Sequence, residues 1–418
     1  MEQITKPHCG ARLDRLPDCR WHSSMFAIVA FGLLVCWSNA VGGLILAQLK
    51  ALGWTDNSTT ATFSAITTAG MFLGALVGGI IGDKTGRRNA FILYEAIHIA
   101  SMVVGAFSPN MDFLIACRFV MGVGLGALLV TLFAGFTEYM PGRNRGTWSS
   151  RVSFIGNWSY PLCSLIAMGL TPLISAEWNW RVQLLIPAIL SLIATALAWR
   201  YFPESPRWLE SRGRYQEAEK VMRSIEEGVI RQTGKPLPPV VIADDGKAPQ
   251  AVPYSALLTG VLLKRVILGS CVLIAMNVVQ YTLINWLPTI FMTQGINLKD
   301  SIVLNTMSMF GAPFGIFIAM LVMDKIPRKT MGVGLLILIA VLGYIYSLQT
   351  SMLLITLIGF FLITFVYMYV CYASAVYVPE IWPTEAKLRG SGLANAVGRI
   401  SGIAAPYAVA VLLSSYGV

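Results

Sequence analysis

The chain has 418 residues, of which 56% are hydrophobic and only 12% charged, with a mean hydropathy of +0.65. A soluble domain carries about twice that charged fraction, so a water-soluble globular protein is excluded. The net charge of +10 would suit a nucleic-acid partner, but the basic residues are placed to report topology instead.

Residues 1–24 are polar and include Asp14 and Asp18, which reads as a tail and not a cleavable signal peptide. Eleven apolar spans follow, at 25–47, 60–82, 90–107, 112–135, 148–172, 182–201, 266–292, 301–323, 331–349, 351–378 and 390–413. Each is near or above the ~20 residues that cross a bilayer. One long polar break, 202–265, holds a short helical pattern at Tyr215–Glu227 and a Pro-rich stretch, 232–253, expected to be a flexible linker. The predicted organisation is therefore an all-α membrane protein. It has a cytoplasmic tail (1–24), a six-helix bundle (25–201), a cytoplasmic linker with short helices (202–265) and a second bundle (266–418) with five spans.

With the N-terminus inside, only Lys50, Arg181 and Lys299 of the 31 Lys and Arg fall in outside loops, and only Arg118 and Arg399 fall inside spans away from their cytoplasmic ends, where Arg151 and Arg200 lie. That is a positive-inside bias, and no nucleic-acid partner is expected. The seven cysteines, at 9, 19, 36, 117, 163, 271 and 371, form no CxxC pair. Neither a disulfide framework nor a metal site is expected, nor a cofactor.

The two groups of spans repeat one another. Gly82-Asp83-Lys84-Thr85-Gly86-Arg87-Arg88 after span two matches Met323-Asp324-Lys325-Ile326-Pro327-Arg328-Lys329 at an offset of 241. The same offset carries Gly70 and Gly74 onto Gly311 and Gly315. Glu138-Tyr139-Met140-Pro141 matches Glu380-Ile381-Trp382-Pro383 at an offset of 242. A duplicated six-helix unit explains this. Six spans and five leave the repeat one short, so a twelfth helix is expected beyond Val418.

At these loops the sequence resembles the major facilitator superfamily, and within it the sugar-porter and metabolite:proton-symporter branch. The branch resemblance rests on Arg118 with Gly122, Gly124 and Gly126, on Glu138 with Arg145, and on Trp180-Arg181. It rests also on Pro203-Glu204-Ser205-Pro206-Arg207-Trp208-Leu209 and on Tyr377-Val378-Pro379-Glu380-Ile381-Trp382-Pro383-Thr384. It implies two bundles related by a pseudo-twofold axis, a cell-inner-membrane location, and spans one, four, seven and ten around a central cavity. It also implies an Asp in span one opposite the span-four Arg. Here span one reads Val35-Cys36-Trp37-Ser38-Asn39-Ala40 and has no acid.

The loop charges are gating candidates: Asp83 with Arg87, Glu138 with Arg145, and their repeat partners Asp324 with Arg328 and Glu380 with Arg389. Opposite charges at helix ends can lock two bundles and release them; the plainer alternative is topology signalling. The glycines at 70, 74, 78 and 82 share one helix face and suit close helix packing. Arg118 and Arg399 lie inside the membrane without an acid on spans one or eleven, so they either attract an anion, which Arg grips well, or bind backbone carbonyls. Glu95 and His98 are one turn apart on span three. They form either a proton relay or a structural hydrogen bond.

Candidate substrate contacts are Trp37, Asn39, Asn157, Gln280, Tyr281, Asn285, Trp286, Tyr372 and Asn395, with the two arginines. Amides and phenols supply oriented hydrogen bonds, and indoles a flat apolar wall. Some aromatics belong instead to the lipid interface. The expected function is a monomeric secondary transporter importing a small organic acid or sugar-acid-like metabolite with protons. A sugar or polyol carrier and a non-transporting metabolite sensor are the alternatives. An enzyme is not expected, because the chain shows no nucleotide-binding loop, metal cluster or Ser/His/Asp set.

Overall fold

The computed structural model describes residues 7–17, 19–141, 145–240, 253–323, 325–349, 351–383 and 386–416. Among these residues the regular structure is helical. Nine helices among the described residues are long and apolar enough to cross a membrane by length and composition. Spans two, three, four and six are Asn57–Thr85, Arg87–Ala106, Met111–Tyr139 and Ala176–Tyr201. Spans seven, nine and eleven are Gly260–Thr293, Arg328–Ser347 and Lys387–Tyr416. Span eight joins Leu298–Met309 to Gly311–Val322, and span ten runs Met352–Cys371 into a π-helical turn, Tyr372–Tyr377.

Spans one and five fall short of that length because each is broken. Span one is Arg20–Val35 and Gly42–Ala51 around a non-helical stretch, 36–41. Ser38 and Asn39 lie in that stretch, and such side chains compete for backbone hydrogen bonds. Span five is Arg145–Asn157 and Ser159–Leu170, jointed at Trp158. Pro161 lacks the N–H that would bond the Asn157 carbonyl, which accounts for the joint; Pro313 does the same to Met309 in span eight.

The duplication is visible in the packing. Gly70 and Gly74 press onto the carbonyls of Phe119 and Val123 in span four, leaving no room for a Cβ. Gly311 and Gly315 press likewise onto Phe360 and Thr364 in span ten. All four members of one contact map onto the other at the offset of 241. With little hydrophobic drive between helices in lipid, such close backbone approach supplies the packing energy.

The N-terminal segment departs from the expected tail. A short helix, Cys9–Asp14, lies on the linker helices Pro206–Ser211 and Tyr215–Thr233. Cys9, Leu13 and Leu16 bury against Trp208, Leu209, Met222, Ile225 and Val229. Arg12 pairs with Glu219 and, at 2.6 Å, with Glu226; Arg15 meets Glu226 at 2.7 Å. Burial pushes the Glu219 and Glu226 carboxyls up, but the arginines beside them outweigh it and hold both below their ordinary range. The linker in turn grips the first bundle. Trp208 Nε1 donates to the Asp83 carbonyl at 2.7 Å. Glu204 accepts from the Arg87 and Arg88 backbone N–H groups at 2.7 and 3.2 Å, capping span three. Gly86, at φ 98°, has no space for a Cβ beside that carboxylate.

Candidate functional site

The basic loops and the N-terminal segment define one face of the molecule. In the half away from it the two bundles are in contact. A Cβ on Gly43 of span one would lie 2.5 Å from the Ile284 carbonyl and 2.9 Å from that of Asn285, in span seven. Asn305 Nδ2 of span eight donates to Ser164 Oγ of span five at 3.2 Å. Gly402 of span eleven packs against Tyr281 of its own bundle and faces Thr68 of span two, in the other, where a Cβ would lie 3.4 Å from the Thr68 methyl.

Beneath this closure lies a buried polar chain. Arg118 is 1% exposed. Its Nη1 donates to the Ser38 carbonyl at 2.7 Å and contacts Met121 Sδ at 3.3 Å, and its guanidinium stands 4.5 Å over the Phe63 ring. No carboxylate among the described residues pairs with it. Gly42 admits it: a Cβ there would lie 2.7 Å from Arg118 Nη2 and 3.5 Å from Asn285 Oδ1. Ser38 Oγ sits 2.7 Å from His98 Nε2. His98 Nδ1 is 3.6 Å from Glu95 Oε2, and both side chains are fully buried. That separation is too long for a hydrogen bond, so the structural Glu–His bond expected as one reading is not formed. Span three is also more than peripheral, because its His98 reaches the break in span one.

A second cluster joins the bundles. Tyr160 of span five and Tyr367 of span ten have ring centroids 5.4 Å apart, with Gln280 of span seven close to both and the Tyr367 hydroxyl buried without a hydrogen-bond partner among the described residues.

The remaining candidates divide. Asn285 is buried beside Gly42 and Arg118. Asn39 is half-buried in the span-one break. Trp37 is packed in the first bundle's apolar core, and Trp286, fully buried, packs with Ala61 and Ala410 of spans two and eleven; both are wedges between helices and not cavity walls. Tyr372 stacks on Tyr377 at 5.2 Å and crowds Gly332 of span nine, away from the other bundle. Asn157 and Asn395 spend their amides on their own helices, bonding Ser153 and Ser391 carbonyls. Arg399 is half-buried beside Gly398, which packs on Leu273 and Asn277. Asn277 is about two turns below Asn285, so the two arginines do not meet in one anion site.

The loop charges pair as expected at Asp83 and Arg87 and add partners across loops. Arg87 bonds Asp83 at 2.6 Å and Glu138 at 2.9 Å. Arg328 bonds Glu380 at 2.9 Å. Each described pair closes loops of its own bundle and does not cross between bundles, because Arg87 and Arg328 begin spans three and nine beside the ends of spans four and ten. Arg389 is half-buried. Asp324 and the Arg145 side chain lie outside the described residues. Ser38, Gly42, Phe63, Tyr160 and Tyr367 complete the two clusters. The Ser-Asn pair just before Gly42-Gly43 is the sequence signal for the first two; the others carry none beyond being aromatic.

Two helical bundles, meeting in one half of the membrane around buried polar groups, define a polytopic carrier of the alternating-access kind. The Major Facilitator Superfamily model matches residues 24–406, and the chain belongs to that family; it is a multi-pass membrane transporter of metabolites and not an enzyme. It is 44% identical to the inner membrane metabolite transport protein YdjE of Escherichia coli (strain K12), over 100% of this chain and 92% of that protein. It is 25% identical to the niacin transporter NiaP of Acinetobacter baylyi, over 97% and 90%. Among solved structures it resembles the partially occluded inward-open xylose transporter XylE from E. coli, with a TM-score of 0.68, 16% identity, and 95% and 98% of the two chains covered. That likeness concerns the fold alone.

Proposed function

We propose that the protein imports a small organic acid or sugar-acid-like metabolite together with protons, as a monomer whose basic face and N-terminus are cytoplasmic. The observation that carries this reading is Arg118: a fully buried guanidinium with no carboxylate beside it among the described residues. A buried charge without a counter-charge costs several kcal/mol, and a substrate carboxylate offsets that cost where an aliphatic or cationic substrate does not. Asn285, one helix away, supplies a neutral hydrogen-bonding partner from the other bundle. The relative named as a niacin transporter is consistent with a carboxylic acid substrate. Arg87–Glu138 and Arg328–Glu380 serve as the gating pairs by stiffening each bundle's cytoplasmic end, so that the bundles rock as units.

A sugar or polyol is the second reading. It is favoured by the Tyr160–Gln280–Tyr367 cluster, which is neutral and bridges the bundles. A thermal-shift screen of purified protein against acids, sugars and amines separates the readings, followed by counterflow of the labelled hit in liposomes. Acids are expected to stabilise and exchange. A cationic amine as the sole hit overturns the charge argument, and binding without counterflow makes the protein a sensor. Uptake with and without a collapsed pH gradient tests the coupling.

A further inference from the structure

Glu95 is fully buried in the middle of a transmembrane span, and neither of its carboxylate oxygens has a hydrogen-bond partner among the described residues. His98 Nδ1 faces it at 3.6 Å and is likewise unpartnered. An isolated buried carboxylate is heavily penalised, whereas the neutral acid is tolerated. The packing around Glu95 therefore accommodates a bound proton better than a charge.

The location matters more than the residue type. His98 Nε2 meets Ser38 Oγ at 2.7 Å, and the carbonyl of that same Ser38 accepts from Arg118 at 2.7 Å. Ser38 lies in the non-helical stretch of span one, four residues before Gly42, where Arg118 and Asn285 converge. A change of charge at Glu95 is thus transmitted by two contacts to the stretch that leads into the closure between spans one and seven. The charged and titratable groups facing the pair are Cys36 of span one, within electrostatic reach of Glu95, and Arg118 of span four beyond Ser38. Tyr94, on the same helix, is bonded away to the Gly78 carbonyl of span two. Asp83, Lys84, Asp112, Glu138, Glu177, Arg181 and Arg200 of spans two, four and six stand near helix ends.

We propose that Glu95 and His98 form the proton-binding site of the transport cycle, taking the place of the acid that span one lacks and acting on the closure through Ser38. In the packing described, Glu95 holds the proton as a neutral acid and His98 is a neutral imidazole. When the site opens, the proton passes from the Glu95 carboxyl to His98 Nδ1 and on to water. The carboxylate left behind is then balanced by Arg118, the buried cation of the same chain. Proton on Glu95 and anion on Arg118 accompany each other, so one proton moves with each substrate carboxylate. This inference rests on the proton-linked reading above.

The test needs no substrate. Infrared spectra of the full chain in lipid bilayers are compared across a pH titration for the wild type, Glu95→Gln, Glu95→Asp, His98→Gln and Ser38→Ala. The wild type is expected to show at neutral pH one carboxylic-acid C=O band that vanishes at alkaline pH, is lost in Glu95→Gln and is shifted in Glu95→Asp. His98→Gln and Ser38→Ala are expected to move its titration by about one pH unit, about tenfold in proton affinity. Wild-type and Glu95→Gln spectra that match at every pH overturn the site. A band unmoved by His98→Gln and Ser38→Ala overturns the link to span one. Wild-type uptake indifferent to a pH gradient, with the band present and titrating, overturns the proton-linked function and leaves the proton-binding site standing.

Discussion

The two bundles share a scaffold but not a chemistry. Glycine contacts between spans two and four reappear between spans eight and ten, and the Arg87–Glu138 pair reappears as Arg328–Glu380. At the offset that relates them, however, Glu95 falls on Leu336, His98 on Ile339 and Arg118 on Gly359. Gly359 packs where an arginine would not fit, with Tyr346 close by. Duplication thus preserved the contacts that hold a bundle together and hinge it, because both copies solve the same packing problem in lipid. Among the described residues the fully buried membrane ions occur in the first copy, while the second keeps the half-buried Arg399. A charge in the membrane is costly, so a second set without a task would be a pure loss of stability.

Four experiments break or sharpen this contrast. The largest effect is expected at its centre. Arg118→Gln should lower uptake by about 100-fold or more, about 3 kcal/mol, while the protein still inserts; wild-type uptake at equal expression would remove function from the asymmetry. Next, Gly74→Leu and Gly315→Leu should destabilise their bundles alike, each by about 1–3 kcal/mol or more, because each added side chain meets backbone. Denaturation in detergent that finds only one of them harmful would refute the shared scaffold. Glu138→Gln should slow uptake by about tenfold and Glu380→Gln by about threefold, since the first side chain is 21% exposed and the second 48%. Asp83, at 64%, should matter least of these three loop acids on conversion to Asn.

The smallest effect concerns the N-terminal helix, Cys9–Asp14. The Glu219 and Glu226 carboxyls are held below their ordinary range in the folded protein. Their contribution to docking is therefore complete above the ordinary carboxylate range and is lost as pH falls through the lowered values. Protection of the amides at residues 9–14 against hydrogen exchange, taken relative to the intrinsic rate at each pH, should fall on acidification, and Arg12→Gln should show the lowered protection already at neutral pH.

Much of this architecture could be read from the chain alone. Runs of apolar residues set the number of spans, since a bilayer dictates their length. The offset of 241 announced the duplication, because repeated contacts require repeated glycines and charges. Arg118, Glu95 and His98 stood out individually, as any ion inside a span does. Their connection did not, for it depends on where span one unwinds. Only the break at 36–41 brings Ser38 between His98 and Arg118, and a hydrophobic run gives no register for such a break. Trp37, Trp286 and Tyr372 show the same limit from the other side. Residue type made them plausible cavity walls, and packing against neighbouring helices decided otherwise. Spacing along a helix fixes which residues share a face, but which face meets a partner is a property of the assembled bundle.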